Sequence, residues 1–237
     1  MIEIKGLHKE FGKLEVLHNV NLSFQQGECI ALIGPNGCGK TTLIKSILGM
    51  VIPGRGTILV KGQDIRKGVE YRRHIGYMPQ IGRYPDNMSI GQVIDMIKEI
   101  RHSKETLDEE LLEAFQLKKI FDKRMRTLSG GTTQKVSATL AFLFDPDVLI
   151  LDEPTAGLDP LASEILKEKI ISEKQKGKLI LITSHLLSEL DDLITHLIFM
   201  QDGKVHFHQS IEDLRKLTGE EKISKAIAQI LKKSNNE

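Results

Sequence analysis

The apolar positions of the chain follow two alternating periods, which predict a mixed α/β fold. Short, wholly apolar runs such as VLIL (148–151) and LILI (179–182) are typical of buried strands. The stretches between such runs, for example LASEILKEKIISEKQ, have helical spacing. Because apolar strands that alternate with helices indicate a parallel sheet covered on both faces, we predict a mainly parallel sheet.

The amino-terminal third has the pattern of strands and turns. The segments IEIKGL, VLHNVNLSF and ECIALIG are strand-like, and QQG (25–27) marks a turn. PGRGTILVKGQDI has glycine near both ends and predicts a hairpin. The β-rich part is predicted to end near Tyr77, which favours an amino-terminal β subdomain.

The pattern becomes helical between Ser89 and Leu128. Ser89 and Gln92 predict a capping box, and a second helix is predicted over LDEELLEAFQL. The apolar faces of these two helices are Ile90, Val93, Ile94 and Ile97 in the first and Leu111, Leu112 and Phe115 in the second. This part is predicted to be a small helical lobe inserted into the larger one.

Composition and charge narrow the class of protein. The 237 residues are 40% apolar, enough for a substantial core. Lys and Arg (33) nearly balance Asp and Glu (32), so we expect no nucleic-acid partner. The apolar runs are too short to cross a bilayer and MIEIKGLHKEF does not resemble a signal peptide, so a soluble, intracellular protein is expected. Cys29 and Cys38 are expected to remain reduced.

The segment GPNGCGKT (34–41) has the pattern of a phosphate-binding loop. It follows the predicted strand ECIALI and precedes the predicted helix TTLIKSILGM, as such loops do. Backbone N–H groups of the loop would bind phosphate oxygens, Lys40 would reach the terminal phosphates, and the Thr41 hydroxyl would bind Mg²⁺. A chance glycine-rich turn would account for none of this context.

Two carboxylates follow the apolar run VLIL. Asp152 is predicted at the carboxyl end of a buried strand, where it could hold Mg²⁺ through water. Glu153 could orient or activate the attacking water. Alone, this pair is equally well explained as an ordinary surface feature; together with the phosphate loop it indicates nucleoside triphosphate hydrolysis.

The ordered set GPNGCGKT, YMPQ, LSGG, LILDEP, AGLD and TSH resembles the ATP-binding-cassette ATPases, over residues 1 to about 210. The resemblance implies an α/β phosphate-loop NTPase core with a mainly parallel sheet, an amino-terminal antiparallel β subdomain and an inserted helical subdomain. It implies one domain over 1–237, with a core of 1–80 and 129–210, a helical subdomain at about 81–128 and a short helical tail at 211–237. The tail carries Ile223, Ala226, Ile227 and Ile230 at helical spacing, which predicts a helix docked on the core.

The same resemblance assigns roles to individual residues. Phe11 would stack on adenine with Val16 beneath the base. ATP would be bound by Gly34, Pro35, Asn36, Gly37, Cys38, Gly39, Lys40, Thr41 and Thr42. The residues implied at Mg²⁺ are Thr41, Gln80 and Asp152, and those implied in catalysis are Glu153, His185 and Lys40. The signature and dimer-coupling residues, which act on the other chain's nucleotide, would be Ser129, Gly130, Gly131 and Asp159.

The resemblance also implies the cofactors and partners. ATP and Mg²⁺ would be bound by a head-to-tail dimer of two copies, and each LSGG would close over the γ-phosphate held by the other copy. A separately encoded multi-spanning membrane subunit would be driven by this dimer, at the cytoplasmic face of the membrane. The short single cassette resembles the ATPases of exporters, and LSGGTTQKVSATLAFLF and LILITSHLLSELDDLI resemble the ATPase that serves nitrous oxide reductase maturation.

Alternatives and departures remain. A soluble cassette ATPase of DNA repair or translation is less favoured, because this chain has no long insertion before LSGG and only one cassette. A generic phosphate-loop kinase or GTPase would not explain LSGG, AGLD and TSH. The family has glutamine directly after LSGG, whereas Thr132 stands here, and Cys38 replaces a smaller residue. His206 and His208 are interpreted as an exposed strand end rather than a metal site.

Overall fold

The computed structural model describes residues 1–101, 107–184 and 193–234. Its strands are β1 (Ile2–Phe11), β2 (Leu14–Phe24), β3 (Cys29–Ile33), β4 (Arg55–Val60), β5 (Gln63–Asp64), β6 (Ile75–Met78), β7 (Val148–Asp152), β8 (Leu179–Thr183), β9 (His196–Gln201) and β10 (Lys204–Ser210). Its α-helices are α1 (Lys40–Ile47), α2 (Ile90–Arg101), α3 (Glu110–Ala114), α4 (Gly130–Phe142), α5 (Pro160–Gln175), α6 (Ile211–Thr218) and α7 (Ile223–Ser234). Short 3₁₀ turns cover Glu70–His74, Leu117–Ile120 and Met125–Thr127.

The first of two compact units comprises Met1–Tyr71 and Leu179–Glu237. Its antiparallel sheet has the strand order β2-β1-β4-β5, and β4 and β5 form the predicted hairpin. In its second set of strands, β3 lies between β8 and β9 and is parallel to both, and β10 pairs antiparallel with β9. Every residue of β3 and β8 is buried, which is why these strands are apolar throughout rather than alternating.

The second compact unit comprises Arg72–Lys178. Its strands β6 and β7 are parallel, with Tyr77 opposite Ile150 and Met78 opposite Leu151. The predicted fold class, an antiparallel β part with mainly parallel strands and helices, is confirmed. The two units divide the chain at other positions than the predicted boundaries near 81 and 128, and those domain boundaries stay a prediction.

The helical stretch of the second unit begins as the sequence predicts. The Ser89 N–H donates to Gln92 Oε1 (2.9 Å), and the Gln92 N–H donates to Ser89 Oγ (3.3 Å), which is the predicted capping box. The helix predicted over 107–117 is shorter than expected. Only α3 is α-helical, because Gln116 adopts a left-handed conformation (φ 54°) that ends the helix.

An ion network around a buried lysine connects α5 with the residues at the start of α3 in the second unit. The Lys169 side chain is only 1% exposed, and its Nζ contacts carboxylate oxygens of Asp108 (2.6 Å), Glu110 (2.6 Å) and Glu173 (3.1 Å). Glu173 also accepts from Lys176 and Lys178. Burial alone would raise the pKa of Glu173, but hydrogen bonds from these lysines lower it to about 2.

The carboxyl-terminal part of the first unit is helical, as predicted. Helix α7 contacts α6, and it buries Ile223, Ala226 and Ile227 on one face. Among residues 1–101, 107–184 and 193–234, no helix has the length and apolar character needed to cross a membrane.

Candidate functional site

The predicted phosphate loop lies in the first unit, between the end of β3 and the start of α1. Gly34 has φ 152°, and a Cβ there would lie 2.0 Å from the Met200 carbonyl oxygen, so the close approach of β9 requires glycine. The Gly203 N–H donates to the Cys38 carbonyl (3.2 Å), which ties the loop to the β9–β10 turn. The loop is therefore fixed by backbone contacts on its inner side.

Lys40 folds back over this loop. Its Nζ donates to the carbonyl oxygens of Gly34 (2.7 Å) and Pro35 (3.1 Å). Pro35, Asn36, Gly37 and Thr41 are exposed, whereas the Cys38 thiol is buried and its Sγ lies 3.8 Å from Lys40 Nζ. The ammonium group of Lys40 thus sits over a solvent-open loop at the amino terminus of α1, where an anion is favoured.

The two residues predicted at the adenine base lie in the same unit. Phe11 ends β1 opposite Leu14 of β2, and its side chain is 50% exposed. Val16 is half-buried in β2, and its carbonyl oxygen lies only 2.9 Å from where a Cβ of Gly39 would be. Strand β2 therefore touches the phosphate loop at Val16.

The predicted carboxylates lie in the second unit with Gln80. Because Met78 pairs with Leu151, Gln80 and Asp152 both follow at the carboxyl ends of neighbouring parallel strands. Asp152 is buried and Gln80 exposed. Burial, and then the charge of Asp152, raise the pKa of Tyr77 to about 12.

Glu153 has an unusual backbone conformation. Its φ of 51° is left-handed, a region that non-glycine residues seldom occupy. Holding a glutamate there costs on the order of 1 kcal/mol, and such strain concentrates at functional positions. Sequence reasoning predicted the residue but not this geometry.

The segment LSGGTTQK forms a capped helix start in the second unit. Ser129 is the N-cap of α4, and its Oγ accepts from the Thr132 N–H (3.2 Å). The Thr132 hydroxyl, which stands where the family has glutamine, lies 2.9 Å from the same Ser129 Oγ. The Thr133 hydroxyl donates to the Ser129 carbonyl (3.2 Å).

The two signature glycines differ in their surroundings. A Cβ at Gly131 would lie 2.7 Å from the Gly157 carbonyl oxygen, so the segment after Glu153 passes directly against α4. A Cβ at Gly130 would meet no atom within 4 Å. Packing within this chain thus explains why residue 131 is a glycine. Among the described residues, no such contact explains the glycine at position 130.

Asp159 is joined to the signature helix. Its carboxylate caps α5 by accepting from the Ala162 N–H (2.9 Å), and it accepts from Lys135 Nζ of α4 (2.7 Å). The hydrogen bond from Lys135, followed by that from Ala162, lowers the pKa of Asp159. Lys135 was missed by the sequence analysis, because nothing along the chain indicates that it meets a residue in the next helix.

The predictions for His185, His206 and His208 differ in their outcomes. His185 lies outside the described residues. His206 is exposed as expected, but the expectation of an exposed strand end is wrong for His208. A bulge between Val205 and Phe207 shifts the register, and the half-buried His208 ring packs against Phe24 (6.2 Å) and His196 (5.8 Å).

Among the described residues, one group of three acidic, histidine or cysteine side chains has its ligand atoms close enough to hold a metal ion, and it does not include the predicted Mg²⁺ ligands. It comprises Asp108, Asp145 and Glu173. Lys169 pairs with two of these carboxylates, and Lys178 pairs with Asp145 and Glu173. Lysine side chains therefore already neutralise this cluster.

The family model described as "ABC transporter" matches residues 17–156, more than half of the chain. The chain belongs to the ABC transporter family. The matched residues include the phosphate loop, Gln80, the signature and both carboxylates.

Related proteins include ATP-binding proteins that are named for Nod factor export and for lantibiotic transport. The chain is 34% identical to the Nod factor export ATP-binding protein I of Burkholderia lata over 211 residues. This aligned stretch covers 86% of this chain and 68% of the relative. It is also 34% identical to the lantibiotic transport ATP-binding protein SrtF of Streptococcus pyogenes over 210 residues. That aligned stretch covers 86% of this chain and 89% of the relative.

Solved ABC transporter structures have the same fold. An ATP-binding subunit of an ABC transporter superposes with a TM-score of 0.89 at 30% identity, covering 98% of this chain and 99% of that one. The ATP-binding cassette MJ0796, described as a dimer in a post-hydrolysis state with ADP and Pi, has a TM-score of 0.79 at 21% identity and covers 89% of this chain and 99% of its own. At that identity the likeness concerns the fold alone.

The predictions of the family and of its chemistry can now be assessed. The prediction of an ABC transporter ATPase domain, and of ATP binding and hydrolysis as its chemistry, is confirmed. The roles of the individual residues, the Mg²⁺ ligands, the dimer and the membrane partner stay predictions.

Proposed function

We propose that this chain is the nucleotide-binding subunit of a membrane exporter, which binds MgATP at residues 34–42 and couples its hydrolysis to transport. The observation that carries the proposal is the phosphate loop itself. Lys40, at the amino terminus of α1, already donates hydrogen bonds to two carbonyl oxygens of the loop. A phosphate chain would replace those carbonyls as the partner of the ammonium group, and it would meet the loop's N–H groups.

The chemistry follows from the side chains assigned to phosphoryl transfer. Thr41, Gln80 and Asp152 offer a hydroxyl, an amide and a carboxylate, which are the oxygen ligands that Mg²⁺ takes. Mg²⁺ would neutralise charge on the phosphates. Glu153 would accept a proton from the attacking water or orient that water, and His185 would contact the γ-phosphate.

The proposal includes a second copy of the chain. Ser129 and Gly130 are exposed at the amino terminus of α4, a position suited to an anion. In the proposed head-to-tail dimer this corner closes over the γ-phosphate held by the other copy, and Asp159 couples the two sites. Closing on ATP and opening after hydrolysis would be the mechanical output.

A separate multi-spanning membrane subunit completes the proposed exporter. Support comes from relatives that are named as ATP-binding proteins of Nod factor export and lantibiotic transport. The chain would then work at the cytoplasmic face of the membrane. The narrower hypothesis, service to nitrous oxide reductase maturation, rests on two sequence stretches, and loss of that enzyme's activity after deletion of this chain would test it.

Two substitutions test the residue roles. Glu153→Gln keeps the side-chain shape and should retain ATP binding while arresting turnover and trapping a dimer, with exposed Glu168→Gln as the control. Lys40→Ala should abolish binding or turnover, with exposed Lys45→Ala in the same helix as the control. Turnover at the parent rate in Glu153→Gln or Lys40→Ala would remove that residue from its proposed role.

Affinity purification tests the partner. Tagged chain is purified from detergent-solubilised membranes of its native cells, and the co-purifying proteins are identified by mass. A multi-spanning protein in stoichiometric amount is expected. Recovery with ribosomes or DNA-repair proteins instead would favour the soluble ATPase and overturn the exporter assignment.

A further inference from the structure

Phe11 has a cation on one face of its ring. Lys9 Nζ lies 4.7 Å from the ring centroid, within the range of a cation–π interaction. Half of the Phe11 side chain is nevertheless exposed. An exposed phenylalanine has no hydroxyl through which a hydrogen bond could fix its orientation, so the contact with Lys9 takes on that task.

The ammonium group of Lys9 is itself anchored. It donates to the Ile52 carbonyl oxygen at 2.9 Å. Two residues later, the Gly54 N–H donates to the His8 carbonyl (2.9 Å), so the segment that carries the acceptor is held against β1. Lys9 is half-buried between this carbonyl and the aromatic ring.

The same segment is connected to the phosphate loop. The N–H groups of Met50 and Val51 donate to the Lys45 carbonyl near the end of α1 (2.8 and 3.0 Å). Helix α1 begins at Lys40, so a short path of backbone bonds leads from the loop, through α1 and the segment after it, to Lys9 and the ring. The residues proposed to bind the base and those proposed to bind the phosphates are therefore connected through α1 and the segment that follows it.

We propose that Lys9 is a positioning residue for the nucleotide, which holds the Phe11 ring in the orientation that stacks on the base. The inference rests on the proposed function, in which Phe11 meets adenine. A ring held before binding loses less rotational freedom when the base arrives, so ordering it costs less affinity. Lys9 covers one face and leaves the other for the base, so it should act on ATP and GTP alike.

The expected effect lies in binding and not in the chemical step. The energy of a cation–π interaction at a partly exposed site limits the cost of a freely rotating ring to about a two- to fivefold loss of affinity. Lys9→Met should raise the KM for ATP by that factor and leave kcat unchanged. Lys9→Gln, whose amide is a donor without a charge, should resemble Lys9→Met, and Lys9→Arg should restore the parent KM.

The decisive test is a double-mutant cycle with Phe11→Leu. Steady-state ATPase kinetics and equilibrium binding of MgATP and MgGTP are measured for each single variant and for Lys9→Met/Phe11→Leu. Lys5→Met is the matched control, because Lys5 lies on the same strand and is exposed, with Glu3 as its ion-pair partner. Circular dichroism checks that every variant is folded.

If Lys9 acts through the ring, Lys9→Met has no further effect once Phe11 is leucine. An equal loss of affinity in both backgrounds would overturn the inference, and so would an unchanged KM in Lys9→Met and Lys9→Gln. A change in the preference between ATP and GTP would also overturn it, because Lys9 would then contact the base directly. Unchanged nucleotide affinity in Phe11→Leu would instead overturn the stacking role on which the inference rests.

Discussion

Gly131→Ala should destabilise the chain, whereas Gly130→Ala should not. The new Cβ at position 131 would lie 2.7 Å from the Gly157 carbonyl oxygen, and ordinary contact begins at 3.4 Å, so backbone must move by about 0.7 Å. Overpacking against backbone costs about 1–3 kcal/mol. Both substitutions gain similarly from replacing a helical glycine, so the difference between the two variants isolates the clash.

Thermal unfolding followed by circular dichroism measures this difference. In a chain of 237 residues, 1 kcal/mol corresponds to about 2–4 °C, so Gly131→Ala should melt about 2–12 °C below Gly130→Ala. ATPase activity is measured in parallel. Gly130→Ala should melt at or slightly above the parent temperature, and it should lose activity if the corner acts on a phosphate of the other copy.

Equal melting temperatures for the two variants would refute the reasoning. The signature helix would then tolerate a side chain at position 131, and the approach of Gly157 would not constrain it. Parent activity in Gly130→Ala would leave the packing argument intact but count against the proposed corner.

Three further predictions concern stability. Lys169→Met leaves the carboxylates around it without their shared cation and should cost about 3–5 kcal/mol in urea unfolding, whereas Lys225→Met, at an exposed position of α7, should cost little. Glu173 has a pKa lowered to about 2 from an ordinary 4.5, so its contribution is present above about pH 4.5 and is lost as the pH falls toward 2; Glu173→Gln should therefore have a flatter acid-unfolding profile than the parent. Burial, and then the charge of His196, lower the pKa of His208, so protonation favours the unfolded state and the parent should lose stability as the pH falls below about 6.5. His208→Phe should reduce that loss between pH 7.5 and 5.5, and an unchanged slope of melting temperature against pH would contradict the assignment to this ring.

Local sequence signals predicted the elements and where the chemistry lies along the chain. The Ser89–Gln92 capping box formed as expected because both partners lie within one turn. The apolar run before Asp152 became a buried parallel strand, which placed this carboxylate at a strand end. Periodicity and capping are local, so a single sequence suffices to recognise them.

The features that sequence reasoning missed depend on approach between distant segments. The contact of Gly131 with Gly157 and the bond from Lys135 to Asp159 arise only when α4 meets the turn before α5. Lys169 stands in a polar stretch of α5 that resembles a solvated helix face, yet it is buried because three carboxylates converge on it. Likewise, no residue type predicted the bulge that turned His208 inward.

The contact between Ser129 and Thr132 has a consequence for the number of hydrogens available at the signature. Ser129 Oγ already accepts the N–H of Thr132, and the threonine hydroxyl lies 2.9 Å away. When that threonine donates its own hydrogen inward, the single hydroxyl hydrogen of Ser129 is left to point out of the corner. The threonine that departs from the family pattern then serves as an internal donor, and it makes Ser129 a donor toward any oxyanion that approaches α4 from outside.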